Sequence, residues 1–177
     1  MNFGLLGLRS GNLQGITGGL RVMISHGFVS SALFLAIGVL YDRHHNRLLR
    51  YYSGLATVMP LFSAAFFLLS IANMSLPGTS SFVGELLIGI GLFQQNSTAA
   101  FFGLASLILG AGYSIWLFNR ACFGNVKTQY LSTFYDLTFR ESVILGTFLC
   151  LILRMGIYPT PVIETRSSSA LALALTA

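Results

Sequence analysis

The chain has 177 residues, 54% of them hydrophobic and only 8% charged, with a mean hydropathy of +0.75. A water-soluble domain devotes roughly a quarter of its residues to Asp, Glu, Lys and Arg, so this chain lacks the charge to coat a globule and reads as an integral membrane protein. Its net charge of +5, carried by arginines and the single Lys127, is too thinly spread for nucleic acid and serves as a topology signal.

The first residues hold Arg9 and several glycines. They show neither a compact apolar core with a small-residue cleavage site nor an Arg-rich amphipathic pattern, so no removable address is visible. The glycines of residues 11–19 lack the Lys-Ser/Thr ending of a phosphate loop and read as a flexible approach to the first helix. A bilayer-crossing helix needs about 20 mostly apolar residues. The first candidate covers residues 16–41, with Arg21 near enough to the boundary to snorkel and His26 well inside. The stretch 55–94 is too long for one straight span and is interrupted by Asn73-Met74-Ser75-Leu76-Pro77-Gly78-Thr79-Ser80-Ser81. Further candidates cover 99–119 and 142–158, and Arg166-Ser-Ser-Ser with alternating Ala and Leu forms a tail. The expected organisation is an approach segment over 1–15, a transmembrane bundle over 16–159 and a short tail over 160–177. The fold class is all-α and multi-pass, with about four crossings, one of them a discontinuous helix.

The discontinuous helix is inferred from loop charge. The stretch 55–94 is either two spans joined by a tight turn or one crossing by a broken helix. Residues 42–52 hold Arg43, Arg47, Arg50 and two histidines against one acid, and 120–141 hold Arg120, Lys127 and Arg140, while 95–98 hold no charge. A single crossing puts both basic loops on one side, as the positive-inside rule prefers; a double crossing separates them. The broken helix is therefore favoured. Non-helical backbone at membrane depth must be buried in protein or line a wet cavity, and transporters build their ion sites at such breaks.

Glu85 is the only acid inside an apolar segment and follows the break by about two turns. A carboxylate at the bilayer centre costs about 2.5–3.5 kcal/mol on insertion scales, which favours a protonatable group over a permanent anion. The competing reading is an acid that pairs with an arginine or caps a half-helix. Ser81 lies four residues before Glu85 on the same face, giving it a small, partly polar surrounding, and Pro77 and Gly78 shape the break. His26, with Ser30 one turn on, carries a group that can exchange protons near neutrality; a lone histidine in a helix is more often a satisfied core residue. Arg154 near Pro159 reads as a snorkelling side chain, and His44 and His45 as solvated loop residues rather than a metal site. Cys122 and Cys150 have no partners at metal-ligand spacing and read as structural. No nucleophile–base pair or dinucleotide fingerprint stands out. Proton movement is the chemistry these residues support.

Several long runs then resemble a known family. They are Ser25-His26-Gly27-Phe28-Val29-Ser30-Ser31-Ala32-Leu33-Phe34, Gly38-Val39-Leu40-Tyr41-Asp42-Arg43, Ala72-Asn73-Met74-Ser75-Leu76-Pro77-Gly78-Thr79-Ser80-Ser81-Phe82-Val83-Gly84-Glu85, and Tyr113-Ser114-Ile115-Trp116-Leu117. In order and spacing they resemble the subunit 4 family of mitochondrial NADH–ubiquinone oxidoreductase, respiratory complex I. The resemblance implies an antiporter-like subunit of about fourteen helices, of which these look like the last four, a broken helix included. It implies that Glu85 is a proton-path glutamate and that His26 lies on the central hydrophilic axis. It implies a place in the mitochondrial inner membrane, with the basic loops 42–52 and 120–141 on the matrix side. The enzyme would be the proton-pumping NADH:ubiquinone reductase. NADH, FMN, iron–sulfur clusters and ubiquinone would belong to other subunits, with no cofactor and no redox chemistry in this chain.

Some features depart from that family. Its further key groups, a glutamate and two lysines on earlier helices, have no counterpart here, and the chain holds no lysine inside an apolar segment. Arg154 stands where an apolar residue is expected. Because Met1 precedes the first matched helix so closely, the expectation is a split subunit whose amino-terminal half is a separate polypeptide; a truncated piece is the alternative. Expected partners are that half, neighbouring antiporter-like subunits and membrane lipids, such as cardiolipin near Arg21 and the basic loops. A subunit of an Mrp-type cation/proton antiporter or a membrane-bound hydrogenase, and a structural scaffold without proton transfer, are the competing functions.

Overall fold

Apolar length and a few capping groups account for where the helices lie. The computed structural model describes residues 2–127 and 135–160, and the described elements are helical. They are α1 (Asn2–Leu8), α2 (Leu13–His44), α3 (Leu55–Val58), α4 (Pro60–Asn73), α5 (Ser80–Gln95), α6 (Ser97–Cys122) and α7 (Phe139–Ile157), with a 3₁₀ turn at Leu49–Tyr51. Among the described residues two helices, α2 and α6, are long and apolar enough to cross a membrane.

Most helix termini are set by nearby groups. The last turn of α2 carries Arg43 and His44, cations that suit a helix C-terminus. His45 then turns left-handed (φ +49°), its N–H donating to the Tyr41 carbonyl at 2.7 Å. Asn96 starts α6 by accepting from the N–H groups of Thr98 and Ala99. A reciprocal Thr138–Glu141 capping box starts α7. The start of α4 is closed from far away. Pro60 needs no N–H partner, and the N–H groups of Leu61 and Phe62 donate to the two carboxylate oxygens of Asp136 at 3.0 and 3.1 Å.

The central element is α2, which packs on two successive partners along its length. Its N-terminal half lies antiparallel to α5. Gly91 meets the backbone of Gly15, Gly18 meets the carbonyl of Gly84, and Ser25 Oγ donates to the Ser80 carbonyl at 2.9 Å. In its C-terminal half Val29, Ala32, Ala36 and Val39 share a core with Leu55 of α3, Met59 between α3 and α4, Phe62, Phe66 and Leu69 of α4, and residues of α6 and α7. A smaller core joins Phe3, Val22, Ile88, Leu92 and Ala100. Thus α4 and α5 follow one another along α2, with residues 74–79 between them.

The glycine-rich start differs from the expected flexible approach. From Leu13 on it is helix, with Gly15, Gly18 and Gly19 buried. A Cβ on Gly18 would lie 2.7 Å from the Gly84 carbonyl oxygen, and one on Gly19 would lie 2.9 Å from that of Gly4. These glycines let backbones approach, as small residues do between membrane helices. Of the tail 160–177, all but Thr160 lies outside the described residues, as does 128–134 of the second basic loop.

Candidate functional site

The site is built where α4 stops. After Asn73 the chain cannot continue as helix: Ser75 is left-handed at φ +56°, Pro77 follows, and Gly78 sits at φ +94°. Only Gly tolerates such angles without cost, so Ser75 is the strained position. Its buried hydroxyl is what that conformation delivers. Ser75 Oγ donates to Glu85 Oε1 at 2.6 Å, a charge-assisted length when the acid is ionised. Glu85 itself is half-buried on α5. The two residues line a cleft of about 430 Å³ with Met74, Gly89, Leu104 and Leu107, between α5 and α6.

Other polar groups hold the break. Asn73 Nδ2 donates to Ser114 Oγ on α6 at 3.2 Å, and Ser114 donates on to the Gly110 carbonyl. Thr79 closes the turn onto the Leu76 carbonyl with both its N–H and its hydroxyl. A second cleft, about 560 Å³, opens beside Tyr41, Arg47 and Phe66, and its lining contains no acid. A third cleft, about 590 Å³, is lined by Asp42 and Glu141 at the helix ends, so the smaller cleft is distinguished by holding the acid that lies within an apolar stretch.

The remaining expected residues are placed as follows. Pro77 and Gly78 are exposed in the break, and Ser81 is buried one turn before Glu85. Neither Ser81 nor any basic side chain bonds to Glu85 among the described residues; the partner is Ser75, ten residues earlier. His26 is half-buried on α2 with no hydrogen bond among the described residues, and Ser30 reaches only the Gly27 carbonyl, at 3.5 Å. His26 and Glu85 each lie one residue beyond a contact of the α2–α5 interface, Ser25 with Ser80 and Gly84 with Val22. No hydrogen bond links them. Arg154 is exposed.

Arg21 is a correction to the sequence reading. It does not snorkel: it is 3% exposed, and its guanidinium donates to the carbonyls of Met155 (2.6 Å) and Pro159 (3.1 Å) at the end of α7. A helix C-terminus presents unpaired carbonyls and partial negative charge, so a buried cation finds its partners there. A contact more than a hundred residues away left no pattern in the sequence around Arg21.

Comparison with known proteins gives this geometry a context. A family model described as NADH:quinone oxidoreductase/Mrp antiporter, transmembrane, matches residues 1–110. The chain is 50% identical over 169 residues to NADH-ubiquinone oxidoreductase chain 4 of Marchantia polymorpha, a match covering 96% of this chain and 34% of the relative. It thus spans about a third of the length of the curated relatives it matches. Among solved structures, respiratory complex I from Thermus thermophilus with bound NADH contains a chain that superposes with a TM-score of 0.88 at 30% identity, over 97% of this chain and 36% of that one. A chain of the Mrp complex from Dietzia superposes with a TM-score of 0.83 at 20% identity, over 97% of this chain and 40% of that one, and shares the fold.

Proposed function

The chain belongs to the NADH:quinone oxidoreductase/Mrp antiporter transmembrane family, and on that premise we propose that it forms the carboxy-terminal helices of a proton-translocating subunit 4 of mitochondrial NADH–ubiquinone oxidoreductase. Glu85 and His26 carry protons within it. The observation that carries this reading is the hydroxyl of Ser75, held in a left-handed turn at the break, bonded to the one acid on the membrane helices' apolar stretches. A carboxyl in a cleft with a single neutral partner is suited to gain and lose a proton.

The stretch from α4 to α5 crosses the membrane once. At 1.5 Å per residue the 14-residue α4 and the 16-residue α5 are about 21 and 24 Å long, each short of a hydrocarbon core of about 30 Å. Their succession along α2 supports one broken crossing over a hairpin. Both basic loops then face the matrix. Electron transfer, with its NADH, FMN, iron–sulfur clusters and ubiquinone, belongs to other subunits. The rest of the subunit supplies the intramembrane lysines this chain lacks, and neighbouring antiporter-like subunits and lipids complete its surroundings. An Mrp-type antiporter is the second reading, supported by a likeness of fold; the 50% identity to chain 4 of the ubiquinone enzyme favours the first.

Glu85→Gln keeps an acceptor for Ser75 but cannot carry a proton. In the assembled complex it is expected to lower the rate of proton translocation through this subunit by about tenfold or more, the scale of a positioned proton-transfer group, and so to lower protons moved per NADH; His26→Gln should lower it too. Normal pumping in Glu85→Gln would leave only the scaffold reading standing. A native gel of mildly solubilised membranes tests the setting. This chain should co-migrate with NADH dehydrogenase activity and with the remaining two thirds of the subunit, and peptide sequencing of the band shows whether those form a separate polypeptide.

A further inference from the structure

Three parts of the chain converge on the last turn of α7. In a continuing helix the Met155 carbonyl would accept from the N–H of residue 159, but that residue is proline and has none. Arg21 supplies the missing donor, and the other arm of its planar fork takes the Pro159 carbonyl one turn on. Next to Met155 lies Gly156, and it rests on the break itself. A Cβ there would come within 2.6 Å of the carbonyl carbons of both Gly78 and Thr79. One turn from Arg21 along α2, Ser25 holds the Ser80 carbonyl at 2.9 Å.

We propose that Arg21 is a positioning residue for Glu85: by fixing the last turn of α7 it holds Gly156 against the Gly78–Thr79 backbone, and so keeps the break in the shape that points Ser75 at the carboxyl. The inference rests on the reading of Glu85 as the proton carrier. The path is short and continuous. Arg21 fixes the carbonyls on either side of Gly156, Gly156 touches Gly78 and Thr79, and the turn those two belong to begins at Ser75. An arginine placed for charge alone would turn to water or lipid headgroups. This one is buried and spends two donor arms on backbone, one of them on the Met155 carbonyl, which no N–H of residue 159 can reach.

The test uses the intact complex in vesicles, with Arg21→Met, Arg21→Lys and Glu85→Gln. The infrared band of the Glu85 carboxyl is identified by its absence in Glu85→Gln. In Arg21→Met that band should shift, amide exchange over residues 78–85 should quicken about tenfold, and pumping per NADH should fall several-fold. Arg21→Lys, a slightly shorter point charge, should recover part of each through one of the two carbonyls. An unmoved band and unchanged exchange in Arg21→Met overturn the proposal, whatever pumping does. If Arg21→Met does not assemble, Gly156→Ala decides instead: it keeps the guanidinium and presses on the Gly78 carbonyl, so the Glu85 band must shift, and an unmoved band overturns the proposal. Normal pumping in Glu85→Gln would defeat the proton-carrier reading alone, since the band and the exchange rates still report whether Arg21 positions the carboxyl.

Discussion

Ser75 does two things at once, and substitutions can separate them. Its hydroxyl binds Glu85, and its backbone adopts a left-handed conformation that disfavours any side chain. Ser75→Ala and Ser75→Gly both remove the hydroxyl, so both should reduce pumping by a similar factor, about tenfold or more for the roughly 1.5–3 kcal/mol of a hydrogen bond to a charged group. Glycine relieves the backbone, so Ser75→Gly should be the more thermostable of the pair by about 1 kcal/mol. Equal stability with unequal pumping would contradict the assignment of the hydroxyl. Helical spacing pointed to Ser81 as the neighbour of Glu85, because four residues is one turn. The true donor lies beyond a stretch that is not helix, where no periodicity reports direction. Glu85 was legible as an acid in an apolar run; its partner needed the fold.

The glycines of α2 and α5 set how closely two helices approach, and they differ in what a methyl group would strike. On Gly18 it would meet the Gly84 carbonyl oxygen at 2.7 Å and the Ile88 nitrogen at 2.9 Å, both backbone. On Gly84 its nearest neighbour is the tip of Val22, at 2.7 Å, with backbone no closer than 3.2 Å. A side-chain tip can turn and a helix backbone cannot. Gly18→Ala should therefore destabilise by about 1–3 kcal/mol and Gly84→Ala by less, read as the midpoint of thermal dissociation of the solubilised complex; the reverse order would mean the interface is looser than described. The long helices were legible because apolar length and the run from Asn73 to Ser81 mark them directly; the short α1 (Asn2–Leu8) was not, lying in what reads as an approach segment. The role of the glycines near the start was not, since a glycine that packs and one that flexes look alike until the partner helix is in place.

At the scale of the molecule, Arg43 joins the end of α2 to the start of α7. Its guanidinium donates to Glu141 at 2.7 Å and to the Asp136 carbonyl at 3.0 Å. Partial burial pushes the Glu141 carboxyl up, but hydrogen bonds from Thr138 and the Arg43 guanidinium outweigh it and hold the acid below its usual range. A carboxyl depressed in the folded state stabilises fully above its unfolded value of about 4.3, and that contribution fades as pH falls through the lower folded value. Glu141→Gln keeps the capping-box acceptor and loses the charge. It should lower stability by about 0.5–1 kcal/mol at neutral pH, with the gap to the parent closing below about pH 4. A gap that stays constant with pH would assign the loss to the cap and not to the ion pair.

The carboxylate that closes the start of α4 sits 75 positions downstream of the first amide it binds. Membrane chains are made and inserted from the amino terminus onward, so α4 enters its surroundings with that end still open. Until Asp136 has been synthesised, the exposed amides of Leu61 and Phe62 must be satisfied by water or by lipid headgroups. The first half of the broken segment is thus finished late, when the chain that follows α6 returns to it. Maturation of the chain therefore has an order, in which the Glu85 end of the segment can pack on α2 before its opposite end is sealed.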